Sequence, residues 1–253
     1  MCRVAVVTGA NKGIGFYVAQ QLLPTVSVVV LACRDVSKGE AAARELGSDK
    51  IRVEELDISD SESIRKFAKR QTRVDVLVNN AAMAFKAADP TPFVAQAGPT
   101  LKTNFFGTVE LTEALKPVLT EDARIVNVAS LTGRLAQVSP ERQEQFKNVP
   151  DLGSLEDLVR EFQADVEAGC HLSKGWGNSN YGFSKLAVIA YTKLLARTGF
   201  KANCCCPGFC RTDMSSHQGT RTAEEGARNA VMLALPDCDL NGAYIRDEAV
   251  AEW

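Results

Sequence analysis

Tyr181 and Lys185 stand four residues apart in YGFSK, a spacing that puts both side chains on one face of a helix. A free tyrosine titrates near 10, too high for easy proton exchange at neutral pH. A neighbouring ammonium favours the phenolate and lowers that value, so the pair reads as a general acid with its modulator. Such a pair also arises by chance, and its meaning comes from its company. Ser130 closes the apolar run RIVNVAS, and Asn79-Asn80 closes VDVLVNN. Polar residues at the ends of such strands lie at the carboxyl edge, where open α/β sheets hold ligands.

A second constellation is TGANKGIG, Thr8 to Gly15, between an apolar run and an amphipathic stretch. Gly9 permits a tight turn, Gly13 lets the backbone approach a pyrophosphate, and Gly15 allows close helix–strand packing. The following helix N-terminus offers free N–H groups and a favourable dipole to the anion. Glycines also serve turns for conformational reasons alone; the strand–loop–helix context is what makes this a nucleotide loop.

The next strand bears on NAD against NADP. Asp35 falls near the distance at which NAD-type folds place an acid on the ribose 2′-hydroxyl. Arg34 precedes it, however, and with Lys12 it could converge on a 2′-phosphate through its planar fork. The plainer alternative makes Arg34 a solvated residue and Asp35 a helix cap. The order of residues favours NADP.

Around these residues, short valine- and isoleucine-rich runs alternate with longer amphipathic ones. Strands are predicted at 4–8, 26–32, 51–57, 74–80, 124–130, 200–206 and 243–245. Helices are predicted from the glycine loop to 23, then at 37–46, 61–70, 99–118, 179–197 and 222–235. Apolar runs without polar alternation indicate strands covered on both faces. The predicted fold class is therefore α/β, a doubly wound parallel sheet of the Rossmann kind. Residues 131–179 break the rhythm with two short helical stretches, ERQEQFKN and SLEDLVREF, and then KGWGNSNYG.

The 253 residues allow one domain or two. Because the chemistry-bearing residues run from Thr8 to Thr212, one domain over 1–253 is predicted, with an insertion at about 139–170. Twenty-nine basic residues against 31 acidic ones give a net charge of −2, with no electrostatic reason to expect nucleic acid or an anionic membrane. The longest apolar run, 26–33, is far too short to span a bilayer. No secretory signal is expected either, since the run after Arg3 leads into the glycine turn. Of the 8 cysteines, Cys204-Cys205-Cys206 are consecutive. Neighbours in a strand point to opposite faces, which suits neither a disulfide framework nor a shared pocket. With no CxxC pair and only His171 and His217, no metal site is expected. The cysteines read as reduced thiols of a cytoplasmic protein.

TGANKGIG, VNNAA (78–82), KTNFFGT (102–108), VNVAS (126–130), YGFSK and CCPGFCRTDM (205–214) together resemble the short-chain dehydrogenase/reductases. AFKAADPTPF (84–93), KTNFFGT, RTDM and the insertion before Tyr181 resemble more particularly the monomeric NADPH-dependent carbonyl reductases within that family. The resemblance implies NADPH/NADP as cofactor and a small carbonyl compound (aldehyde, ketone or quinone) as substrate. It implies Tyr181 as proton donor, Ser130 as a hydrogen-bond donor to the carbonyl oxygen, and Lys185 as the residue that lowers the tyrosine and holds the nicotinamide ribose. Asn104 would support a water relay behind Lys185. Gly9, Asn11, Lys12, Gly13, Ile14 and Gly15 would bind the cofactor with Arg34. Asp57, Ile58, Asn80 and Ala81 would line its adenosine side; Pro207, Gly208 and Thr212 would border the nicotinamide. Trp176, Phe209 and Met214 are candidate substrate contacts, though aromatic and methionine residues serve ordinary cores as often. Taken singly, Ser130 could be a turn residue and Asn104 a structural amide. The stretch before Tyr181 would cover the helices through which many relatives form tetramers, so a monomer is expected. Oxidation of alcohols or hydroxysteroids by the same residues, or an idle NADP sensor, are the competing functions.

Two departures stand out. Ala82 replaces the family's glycine, which would cost about 1 kcal/mol if that position needs positive φ. The chain between Lys185 and Pro207 is short, so the helix is expected to stop near Gly199 with a tight turn into the next strand.

Overall fold

The computed structural model describes residues 3–86 and 88–253; Cys2, and Ala87 within AFKAADPTPF, lie outside the described residues. Its frame is an eight-stranded sheet in the order β3-β2-β1-β4-β5-β6-β7-β8. The strands are β1 (Val4–Thr8), β2 (Val28–Cys33), β3 (Ile51–Glu55), β4 (Val74–Asn79), β5 (Leu119–Val128), β6 (Lys201–Cys205), β7 (Tyr244–Arg246) and β8 (Ala249–Val250). All neighbours pair in parallel except β7 with β8. The valine runs of β1, β2 and β4 are almost fully buried because helices cover both faces.

On one face, α1 (Gly13–Leu22) packs beside α9 (Ala223–Ala234), and Phe16, Val18 and Leu22 meet the sheet there. The connection after β2 forms α2 (Val36–Leu46). On the other face lie α3 (Ser61–Arg70), α4 (Phe93–Leu101), α5 (Gly107–Leu115) and α8 (Asn180–Arg197), closing over Phe67, Leu101, Phe105 and Leu186.

Three elements differ from the sequence expectation. The helix predicted to open at Pro99 opens at Phe93, and the chain continues through Pro99 inside α4. Proline lacks a backbone donor, which is why it reads as a first helical residue. Here the helix widens just after it into a π turn, Lys102–Phe106, before resuming as α5. Next, β5 starts at Leu119 rather than 124, with a register irregularity opposite Val74 and Val76, and it ends at Val128. Ser130 therefore lies beyond the strand, not in it. Lastly, the two-residue β8 carries too few residues to show a period.

Between β5 and α8 come α6 (Pro140–Lys147) and α7 (Leu152–Glu167), the latter longer than its apolar pattern suggested. Ser139 and Asp151 cap them through side-chain bonds to Arg142 N and Ser154 N. α7 packs on α4 and α8. Helix α8 ends at Arg197, and Gly199 at φ +96° turns the chain directly into β6, the tight connection that the short sequence requires. Ala82 is absent from the described residues with positive φ, so its backbone has no need of glycine.

Candidate active site

At the carboxyl edge of the sheet, the chain leaves β1 through Gly9 and Gly13, at φ +65° and +59°. Gly15 sits where a Cβ would stand 2.5 Å from Asn80 Nδ2 and 2.6 Å from Gly9 O, so the helix closes on the loop only without a side chain. Asn80 Nδ2 donates to Thr8 O at 2.8 Å, while the amides of Asn80 and Ala81 donate to Thr8 Oγ1 at 3.0 and 2.9 Å. The adenosine-side candidates thus tie the end of β4 to the glycine loop. Lys12, the residue before α1, caps nothing with its side chain, and the first turn contains no acid. The free amides of that turn, which includes Ile14, suit an anion.

Asp35 is occupied. Its carboxylate caps α2, accepting from Lys38 N at 3.1 Å, with Lys38 Nζ 3.2 Å away. The backbone bond from Lys38 holds its carboxyl below the usual range, followed in effect by the Lys38 side chain. Arg34 is exposed, and no ion pair engages it among the described residues. The cap therefore falls to Asp35, and a guanidinium stands free at the end of β2. Asp57 Oδ1 accepts from Ser59 N and Oγ at 2.9 and 2.6 Å, and Ile58 is buried beside it.

Tyr181 and Lys185 project from the first turns of α8, whose N-cap Ser179 accepts from Gly182 N. Tyr181 is half-buried; Lys185 is buried, its Nζ donating to Val128 O at 2.7 Å and lying 5.7 Å from the Tyr181 ring centroid. Ser130 caps the 3-10 turn Leu131–Gly133, accepting from Thr132 N and Oγ1 at 3.2 and 2.9 Å, and its hydroxyl also reaches Tyr181. Ser130, Tyr181 and Lys185 thus meet at the ends of β5 and α8. The electrostatics correct one expectation. Burial pushes the Tyr181 phenol up to about 12, with Cys206 adding to the rise and the Ser130 bond opposing it. Burial also brings the Lys185 ammonium down to about 8, against Cys205 and Cys206. Desolvation of both groups outweighs their mutual influence, so the lysine does not lower the tyrosine in this state.

Asn104 lies in the π turn. Its Oδ1 accepts from Met83 N at 2.8 Å, and its Nδ2 donates to Met83 O and Ser184 Oγ at 2.9 and 3.0 Å. Its side chain therefore braces the turn after β4 against α8, with no direct bond to Lys185. Pro207, Gly208 and Thr212 follow β6, and Thr212 Cγ2 lies 3.5 Å from where a Gly13 Cβ would be. The loop after β6 thus lies against the glycine loop, and Lys12 pairs with Asp213 across the gap. Phe209 and Met214, on that loop, are 55% and 42% exposed. Trp176 must be corrected as a substrate contact. It is buried among Phe146, Phe162 and Phe183, its Nε1 donating to Asp165 at 2.8 Å. Its glycine-rich surroundings suggested an open loop; the insertion folds it into core.

The sequence reading missed Asp213 and the exposed Leu131, and gave Thr8 only as the start of the glycine loop without its bonds to Asn80 and Ala81. Thr8 and Asp213 stood inside quoted motifs, but contacts across 72 and 201 positions leave no local period to read.

Residues 3–140 match the short chain dehydrogenase family. Carbonyl reductase (NADPH) 3 of Rattus norvegicus is 43% identical over 272 aligned positions, covering 99% of this chain and 98% of that protein. Carbonyl reductase (NADPH) 1 of Homo sapiens is 41% identical over 271 positions, with the same coverage. Among solved structures, salutaridine reductase from Papaver somniferum superimposes with a TM-score of 0.85 at 32% identity, covering 96% of this chain and 99% of that one. Menthone neomenthol reductase from Mentha piperita gives 0.80 at 29% identity, covering 96% and 98%.

Proposed function

The chain belongs to the short chain dehydrogenase family, and from that premise we propose that it reduces the carbonyl group of small molecules (aldehydes, ketones and quinones) to alcohols with NADPH. The observation that carries the reading is the meeting of Ser130, Tyr181 and Lys185 beside an α1 N-terminus without a side-chain cap. The fit to NADPH rests on a free Arg34 next to an Asp35 already spent on α2. Arg34 and Lys12 would hold the 2′-phosphate, the loop from Gly9 to Gly15 with Asn11 and Ile14 the pyrophosphate, and Asp57, Ile58, Asn80 and Ala81 the adenosine side. Lys185 would hold the nicotinamide ribose, with Pro207, Gly208 and Thr212 at the nicotinamide end.

The cofactor supplies the hydride. Ser130 donates a hydrogen bond to the carbonyl oxygen, and Tyr181 delivers its hydroxyl proton to the developing alkoxide. The Lys185 ammonium stabilises the phenolate left behind. A phenol held at about 12 keeps its proton throughout the neutral range, the form in which it can act as donor in the reduction. Phe209, Met214 and the neighbouring Leu131 offer exposed apolar surface to the substrate.

We read residues 1–253 as one cofactor-binding domain with its insertion at 139–170, monomeric because that insertion covers α4 and α8, and cytoplasmic. The seven described cysteines are all free thiols, which supports the last reading. No helix among the described residues is long and apolar enough to cross a membrane.

The test is the loss of NADPH absorbance with a panel of quinones, diketones and aldehydes, set against NADP reduction by alcohols. Tyr181→Phe is expected to abolish turnover while NADPH still binds. Substantial turnover in that variant, or none in the wild type despite tight NADPH binding, would sink the reading; the second result favours a sensor. Light scattering that returns a tetramer would overturn the assembly.

A further inference from the structure

The parallel ladder between β5 and β6 ends with Ala129 N–H donating to Cys205 O at 2.8 Å. One residue further, both chains leave the sheet to form the active-site edge, and no carbonyl receives the amide of Leu131. That amide donates instead to Cys206 Sγ at 3.1 Å, and the amide of Gly208 donates to the same sulfur at 3.4 Å. Leu131 belongs to the turn capped by Ser130, and Gly208, at φ +81°, to the loop that borders the nicotinamide end. A single sulfur therefore joins the two walls of the reaction site where the ladder can no longer do so.

The cysteine is itself held on three sides. Its amide donates to Ile245 O at 2.8 Å, and its carbonyl accepts from Asn229 Nδ2 at 2.8 Å. Asn229 Oδ1 in turn accepts from Glu248 N at 3.0 Å, anchoring α9 to the turn after β7. Cys206 is 3% exposed and packs with Tyr244, whose buried hydroxyl meets no hydrogen-bond partner among the described residues. Buried amides need acceptors, and here two of them converge on one soft atom.

We propose that Cys206 is a positioning residue, its sulfur clamping the Ser130 turn to the Pro207-Gly208 loop and so setting the distance across which Ser130 and Tyr181 act. Its effect on turnover rests on the reductase reading; the clamp itself does not. A thiol sulfur, like a hydroxyl oxygen, can act as an acceptor, and here it is shared by two amides that approach from different loops.

Residue-resolved hydrogen–deuterium exchange on the wild-type protein tests the clamp directly. The amides of Leu131 and Gly208 are expected to exchange slowly although neither meets a carbonyl. Exchange of both at open-loop rates overturns the proposal, whether or not the protein reduces any carbonyl. Cys206→Ala and Cys206→Ser, compared at saturating NADPH, test the consequence. The alanine variant is expected to lose about tenfold in kcat with its Kd for NADPH within about twofold, the pattern of a lost geometric constraint rather than lost binding. The serine variant keeps an acceptor and is expected to recover most of that loss. Wild-type kcat in the alanine variant overturns the proposal, as does a serine variant no better than alanine, because packing alone would then account for the loss. If the alanine variant does not fold, the wild-type exchange result decides.

Discussion

Two ionisable groups, Tyr181 half-buried and Lys185 buried, face each other across the site, and both have moved toward their neutral forms. Tyr181 stays protonated far above neutrality, as the proposed proton donor should, whereas Lys185 is brought down to about 8. The lysine sign matters for the pH profile. Its charged form, which would hold the ribose and stabilise the phenolate, is present below about 8 and is lost above it. Because kcat/KM for NADPH reports groups of the free enzyme, it is expected to be level up to pH about 8 and to fall beyond. A profile that keeps rising to pH 10 would contradict this role. Cofactor choice is equally local. Arg34→Ala is expected to raise the KM for NADPH about tenfold or more while leaving that for NADH nearly unchanged, since only the 2′-phosphate is lost as a partner. An unchanged KM for NADPH would mean that Arg34 is merely solvated. Tyr181, Lys185, Ser130 and Arg34 were legible because each sits at a spacing or strand end that a one-dimensional pattern records. Cys206 was not legible as a clamp, since its amide partners come from two loops and no pattern marks a sulfur as an acceptor.

Among elements, the decisive contact is between α8 and the 3-10 turn that follows β5. Gly133 in that turn lies where a Cβ would stand 2.8 Å from Lys185 C and 2.9 Å from Leu186 N. Those are backbone atoms of a buried helix and cannot swing away, so Gly133→Ala must push the Ser130 turn off α8. The expected result is a folded protein with kcat lowered about tenfold to a hundredfold, because a misplacement of about 1 Å can already cost a hundredfold. Wild-type kcat in that variant would show that the close approach does not set the site. Element identity was mostly legible, since valine-rich runs and 3.6-residue periods dominate α1, α3 and β4. Boundaries were not. Pro99 looked like a beginning because its missing donor is tolerated there, yet tertiary packing carries α4 through it. The start of β5 at Leu119 depends on pairing with Val74, a partner remote in sequence.

At the scale of the whole molecule, the insertion is held down by one buried carboxylate. Asp165 accepts from Trp176 Nε1 at 2.8 Å and from Lys174 Nζ at 2.7 Å, and Trp176 closes the aromatic cluster over α8. Burial alone would raise this carboxyl, but the bonds from Lys174 and Trp176 prevail and hold it below the usual range. Its contribution to stability is therefore complete above the ordinary aspartate value, near 4, and is lost as the pH falls through its lowered one. Asp165→Asn is expected to lower Tm at pH 7 by roughly 4 °C, with the difference shrinking in acid as the carboxyl takes up its proton. A Tm gap that persists unchanged in acid would show that the charge does not anchor the insertion.

The parallel α/β class, the glycine loop and the pairing of Tyr181 with Lys185 were already written in the order of the residues. These depend on periods of two and 3.6 residues and on spacings within single elements, which a linear chain records directly. Only the tertiary structure decided that Asp35 caps a helix while Arg34 stays free, and that Trp176 is core rather than pocket. It also raised Tyr181 rather than lowering it, and brought Cys206 between the Ser130 turn and the Pro207-Gly208 loop. Each of these turns on burial or on contacts between segments distant along the chain. Desolvation and convergence are properties of a folded interior, and no local pattern encodes them.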